Sequence, residues 1–168
     1  WDVEPGTNPG FLFQQNTMRD ALVAALHFDV FHRLAERVVM ANIAQTVNVL
    51  QAMLLTDPAD GTLVRTPTFH VFEMNKVHHD ATSVPVHVRA PGAVHDLADG
   101  AIATVSASAS VADGACHVSL SNTDLTAPLD VTLDLRGARV AQVSGRLLAP
   151  SSVSAFNAGA HPRDVAPT

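Results

Sequence analysis

Chemistry in this chain would have to come from a few residue types, and their spacing decides which of them can cooperate. It has three glutamates, Glu4, Glu36 and Glu73. Two facing carboxylates can share acid, base or nucleophile roles. Glu4 falls in a Pro/Gly-bounded loop, Glu36 between a helix and a strand, and Glu73 inside a helix, so none is placed as half of such a pair. Nine histidines invite a metal reading, and His78-His79-Asp80 is their densest cluster. Neighbours on a helix point about 100° apart, whereas a helical ligand pair needs i, i+3 or i+4 spacing. His27 and His32, five apart, miss that spacing too. A solvated helix end is the expectation, with no metal and no cofactor. Ser106, Ser108 and Ser110 share one strand face. A serine nucleophile needs a base beside it, and solvent-facing strand serines are expected. Cys116 is the single cysteine. It cannot form an intrachain disulfide or a thiolate zinc site alone, and it is expected as a small core residue.

The elements that would position these groups fall into two parts. The 168 residues are 47% hydrophobic and 15% charged, which suits one ordinary core and excludes a disordered tail. Net charge is −6 with basic residues scattered singly, so no nucleic-acid partner is expected. No apolar run approaches a membrane span, and Trp1–Gly6 does not resemble a signal peptide. All the glutamates and methionines, and every phenylalanine but Phe156, precede a seam near Val84-Pro85. Alanine, serine, valine, threonine and aspartate dominate after it. That shift predicts a helix-rich part followed by a β part.

In the first part Asn16 or Thr17 can cap a helix from Met18 to about Arg33, whose wide apolar surface suits packing on more than one side. Arg37–Gln45, apolar and rich in β-branched residues, reads as a strand buried on both faces beneath helices. Thr66-Pro67 starts a second helix that continues to about His79. In the second part Ala101–Val111 alternates apolar and hydroxylated residues as one half-buried strand. Asp113-Gly114 is a hairpin turn, and Cys116, Val118 and Leu120 lie on the return strand. Val84–Val88, Val131–Leu135 and Val140–Leu148 add strands, and together they suggest a β-sandwich.

Gly6–Ala21, Val39–Met53 and Thr66–Met74 form ordered blocks that resemble the α-L-arabinofuranosidases of glycoside hydrolase family 51. Ser119–Asp124 and Val143–Leu148 resemble that family's C-terminal domain more weakly. The resemblance implies the last β/α units of a (β/α)8 barrel (residues 1–83) and an antiparallel β-sandwich of jelly-roll type, truncated (residues 84–168). Met18–Arg33 would be the seventh barrel helix, Val38–Gln45 the eighth strand and Pro67–His79 the eighth helix. It implies a retaining glycosidase that releases terminal α-L-arabinofuranosyl residues from arabinose-containing oligosaccharides and polysaccharides. Both catalytic glutamates would lie upstream of Trp1, so this chain alone is expected to be inactive. Gln45, ending its strand on the barrel face that carries active sites, is the substrate-binding residue that the resemblance implies; by its residue type alone it is expected to cap the strand by bonding a neighbouring loop. The loop Trp1–Gln15 would border the cleft. Homo-oligomers and a cytoplasmic location are further implications. A carbohydrate-binding sandwich is the competing reading, and the scarcity of aromatics in the β part speaks against it.

Overall fold

Local signals at the helix ends are enough to build the helical layer. The computed structural model describes residues 16–49, 52–90, 94–98 and 100–168, so Glu4 and the Trp1–Gln15 loop lie outside the described residues. Helix α1 (Met18–Arg33) begins after Thr17, whose backbone N–H donates to Asp20 Oδ2 at 2.8 Å. Asp20 thereby satisfies an orphan donor and sits at the positive end of the helix dipole. Helix α2 (Pro67–Asn75) begins after Thr66, whose Oγ1 accepts from the Phe69 N–H at 3.3 Å. Pro67 lacks an N–H at the position where none is needed. The α-helix gives way at Lys76–His78 to a single 3-10 turn, earlier than the sequence suggested. Phe28 and Phe72 meet edge to face, ring centroids 4.8 Å apart, and lock α1 to α2. Phe72 therefore joins helix to helix.

The β part is built around one hairpin. Strands β3 (Thr82–Val84), β6 (Val105–Ala112) and β7 (Ala115–Asn122) form an antiparallel sheet in the order β3-β6-β7. Asp113 (φ 50°) and Gly114 (φ 77°) make the expected turn, both left-handed as a two-residue hairpin requires. The single strand expected over Ala101–Val111 is broken at Thr104. Its first part is β5 (Gly100–Ala103), which pairs with β4 (Val94–Leu97) in a separate ribbon. The break is stabilised by Thr123, whose N–H donates to Thr104 O at 2.8 Å and whose Oγ1 donates to Ala103 O at 2.9 Å. A small hairpin, β1 (Leu54–Thr56) with β2 (Leu63–Arg65), precedes α2.

Several expectations are corrected. Ser108 and Ser110 are buried, not solvent-facing, because their face of β6 packs under α1 and the 3-10 turn. Ala107 and Ala109 on the other face are buried too, so β6 is buried on both sides in its middle. Cys116 is exposed, being paired with Val111 near the hairpin end where little covers it. Val23 and Val30 leave one side of α1 open, and Leu34 just beyond its end is exposed too. Val38–Gln45 is not a strand: no backbone hydrogen bond among the described residues reaches 39–45, and Val39 is 92% exposed. Of the β-run Val84–Val88 only Val84 lies in a strand, and Val131–Leu135 and Val140–Leu148 carry no ladder. Strand propensity alone does not make a strand; backbone donors and acceptors need a neighbour to pair with.

Candidate functional site

Gln45 stands at the end of the 38–45 run, follows a cis Ala44–Gln45 peptide bond, and is exposed. No hydrogen bond among the described residues reaches its amide. The residues just after it are held firmly. Thr46 O accepts from the N–H groups of Met53 and Leu54, both at 3.0 Å. Val47 makes a parallel bridge with Leu54, and the Asn48 N–H donates to Leu54 O at 3.0 Å. Asn48 Nδ2 donates to Thr56 Oγ1 at 2.7 Å, and its Oδ1 accepts from the Thr56 N–H at 2.8 Å.

The hairpin that receives these bonds is itself fixed. Thr66 Oγ1 donates to Ala52 O at 2.9 Å, and the Thr66 N–H donates to Met53 O at 3.0 Å. Val64 is buried, and Asn157 Nδ2 donates to Arg65 O at 2.8 Å. A line of contacts thus runs from the start of α2 through β1 to the stretch behind Gln45. The result is an amide that no described residue engages, donor and acceptor together, on an anchored backbone. That is the chemistry a sugar hydroxyl needs.

A second polar centre lies between the helices and the sheet. Ser108 Oγ donates to Asp29 Oδ1 at 2.7 Å. With its proton committed there, its oxygen accepts from His32 Nδ1 at 2.9 Å. His78 bridges Ser110 Oγ at 2.7 Å and Ser119 Oγ at 2.8 Å through its two ring nitrogens. The rings of His32 and His78 lie 4.6 Å apart. Burial pulls His32 below the ordinary imidazole value, partly opposed by Asp29. Burial also pulls His78 down, to about 4, helped by His32 and His117 and opposed by Asp29. Each serine does have an imidazole beside it. Yet the Ser108 proton is directed at a carboxylate, and Asp29 is only 1% exposed, so the arrangement joins layers rather than attacks a substrate. Alternating hydroxyls opposite a helix bearing Asp and His at i, i+3 were the signal available for it. His79 and Asp80 stay solvated, as expected, while His78 does not.

No pair of acids forms among the described residues. Glu73 is held by Arg146 at 2.7 Å, tying α2 to the C-terminal segment. Glu36 is exposed and, among the described residues, is the only carboxylate lining a groove of about 460 Å³ that also includes His32, Ser83 and Ser108. No group of three or more potential metal ligands occurs among the described residues, and none of their helices is long and apolar enough to cross a membrane.

Comparison with known proteins places the chain in a family. The family model for the alpha-L-arabinofuranosidase C-terminal domain matches residues 1–168. The chain is 45% identical over 169 residues to an intracellular exo-alpha-L-arabinofuranosidase of Bacteroides ovatus, covering 99% of this chain and 32% of that protein. It superimposes with a TM-score of 0.89 and 44% identity on the GH51 arabinofuranosidase from Xanthomonas axonopodis pv. citri, over 100% of this chain and 34% of that one. The fold is shared at 21% identity and a TM-score of 0.77 with the alpha-L-arabinofuranosidase from Thermotoga maritima, over 100% of this chain and 36% of that one. The chain belongs to the α-L-arabinofuranosidase C-terminal domain family and spans about a third of the length of the relatives it matches.

Proposed function

We propose that the chain acts as the C-terminal part of a retaining glycoside hydrolase that releases terminal α-L-arabinofuranosyl residues from arabinose-containing oligosaccharides and polysaccharides. In this reading residues 1–83 complete a (β/α)8 catalytic barrel and residues 84–168 are the β-sandwich domain beside it. The observation that carries it is the Arg37–Gln45 run. It has a strand's composition, lies between two helices and is open to solvent, Val39 by 92% and Met40 by 75%. Such a segment has the composition of a central barrel strand whose neighbours are absent from the described residues. The similarity to about a third of a GH51 enzyme supports the same assignment.

A retaining mechanism uses two carboxylates about 5–5.5 Å apart, one as nucleophile and one as acid/base. Upstream residues would supply both, since among the described residues neither Glu36 nor Glu73 has a partner acid. This chain's contribution is binding. Gln45, which would end the eighth barrel strand on the active face of the full-length enzyme, hydrogen-bonds the furanose hydroxyls with an amide that no described residue engages. Homo-oligomerisation goes with this reading, as does the intracellular setting named for the Bacteroides ovatus relative.

The test has two arms. The 168-residue chain assayed alone should release no arabinose from an aryl α-L-arabinofuranoside; turnover that disappears on Glu73→Gln would sink the proposal. In the full-length enzyme, Gln45→Ala should lower kcat/KM about tenfold to a thousandfold, roughly 1.4–4 kcal/mol, at unchanged Tm. Part of the loss should fall on kcat, because interactions that strengthen in the transition state are lost.

A further inference from the structure

We propose that Asn48 is a positioning residue for Gln45: its side-chain amide clamps the stretch behind Gln45 onto β1 and thereby sets where the Gln45 amide is presented. The inference rests on the reading of Gln45 as the sugar-binding residue. It adds the group that aims it.

The argument begins with an asymmetry. On the N-terminal side of Gln45, no backbone hydrogen bond among the described residues reaches 39–44. On its C-terminal side, Thr46, Val47 and Asn48 are all tied to β1. The position of Gln45 on this chain is therefore set from behind. The parallel pairing that Val47 opens with Leu54 cannot run on through the backbone, because Asn48 turns into the left-handed region at φ 55°. Its side chain continues the pairing instead. Oδ1 takes the Thr56 N–H and Nδ2 takes the Thr56 hydroxyl, at 2.8 and 2.7 Å.

Two demands meet at this residue. The backbone demands tolerance of positive φ, which glycine, asparagine and aspartate offer at least cost. The clamp demands two hydrogen-bonding atoms on a short planar side chain, which glycine lacks and the amide provides. Asparagine meets both. Asn48 lies three residues from Gln45, about 10 Å of extended chain at most, so a loosened clamp shifts the amide directly. Misplacement of about 1 Å at a binding group can cost on the order of a hundredfold in rate.

The experiment is a double-mutant cycle in the full-length enzyme, reading kcat, KM and Tm with an aryl α-L-arabinofuranoside. Asn48→Ala should lower kcat/KM about tenfold, with kcat falling along with any rise in KM. Gln45→Ala should lower it as proposed above, and the double variant should be no worse than Gln45→Ala by more than about twofold. Asn48→Asp should restore most of the activity, since it accepts positive φ and both oxygens can accept, one from the Thr56 N–H and one from its hydroxyl. Asn48→Gly keeps the backbone conformation without the clamp and should stay as impaired as Asn48→Ala.

Four outcomes overturn the inference. Recovery in Asn48→Gly would assign the effect to backbone strain. Losses that multiply in the double variant would make Asn48 a structural residue independent of Gln45. Asn48→Ala with full activity, while Gln45→Ala is impaired, would remove the clamp and leave the Gln45 reading standing. Full activity in Gln45→Ala would remove that reading and, with it, the positioning role.

Discussion

The β6–β7 hairpin and the Arg37–Gln45 run are equally suited to strand structure by composition, and only one of them forms it. In the hairpin every residue from Val105 to Ala112 faces a partner on β7, and the two ends meet in a two-residue turn. The 37–45 run has the same β-branched and small apolar residues, yet its side chains from Val39 to Asn42 face water. If the run is the barrel strand proposed above, the difference lies in where the partner comes from. The hairpin carries its partner three residues away. A central strand of a parallel sheet takes both neighbours from distant parts of a chain, so its stability is wholly non-local. The segments Val131–Leu135 and Val140–Leu148 form no strand either, although Leu147 exchanges both of its backbone hydrogen bonds with Thr168 at 3.0 Å. Val143 is 80% exposed and Leu147 63%.

Hydrogen exchange on the 168-residue chain gives the largest expected contrast. Amides of Ala107 to Ser110, in the central strand and buried on both faces, should exchange about a thousandfold more slowly than those of Val39 to Ile43. Equal, strong protection in both regions would show that the run is already part of a packed unit, and the comparison would collapse.

The next largest effect lies in the layer joint that holds the hairpin to the helices. Ser108→Ala removes the donor to Asp29 Oδ1 and the acceptor for His32 Nδ1. Asp29 is buried, and its Oδ2 already has no hydrogen-bond partner among the described residues. Leaving a buried carboxylate oxygen unpaired should cost about 2–3 kcal/mol, read as a lower urea midpoint at unchanged m. Ser106→Ala, on the same face but only half-buried, should shift stability by no more than about 0.5 kcal/mol. Equal effects at the two serines would mean that the joint contributes nothing specific.

The same joint should make stability depend on pH. His78 is held down to about 4 in the folded chain, first by burial and then by the positive charges of His32 and His117, against the pull of Asp29. The unfolded chain binds a proton near the ordinary value of 6.5. Stability from this group is therefore complete above about pH 6.5 and is lost as pH falls towards 4. His32 and His70, also lowered chiefly by burial, add to the loss in the same direction. His78 is only partly buried, so solvent screening reduces its share to about 1–2 kcal/mol. His78→Gln keeps an amide between Ser110 and Ser119 and cannot titrate. Its urea midpoint should fall less between pH 7 and 4 than that of the unsubstituted chain. Identical slopes would remove His78 as the titrating group.

What the sequence made legible follows the same division. The start of α1 at Met18, the Thr66-Pro67 start of α2 and the Asp113-Gly114 turn are set by neighbours within a few residues, and all three stand where they were expected. The change in composition near Val84 is followed less cleanly by the fold: both helices precede it, but so do the β1–β2 hairpin and β3, the edge strand of the three-stranded sheet. The serine face of β6 was misread because period-two alternation says which residues share a face, not which face meets water. Hydroxyls opposite His32, Asp29 and His78 are buried by partners from far along the chain. Cys116 was misread for the complementary reason: an apolar position near a hairpin end has little to cover it. The proposal for Gln45 came from resemblance, since a lone glutamine has no spacing signature of its own. The Asn48 clamp was not legible at all, because it depends on the turn at Asn48 and on Thr56 coming alongside.

The smallest expected effect in this chain is the sharpest test of what the open run is for. Val39→Thr together with Met40→Gln changes side chains that are 92% and 75% exposed. Substitutions at such positions usually alter stability by no more than about 0.5 kcal/mol, so the 168-residue chain should melt unchanged. In the full-length enzyme the same two side chains are read as lying on opposite faces of a central barrel strand, both covered. There each new polar group loses water without gaining a designed partner, at about 1–3 kcal/mol apiece. Tm should fall by several degrees, and the yield of folded enzyme should drop with it. A clear loss of stability in the isolated chain would mean that the run already packs against something within residues 1–168. A full-length enzyme that tolerates both changes would mean that the run is a surface connection. Gln45 would then end no barrel strand.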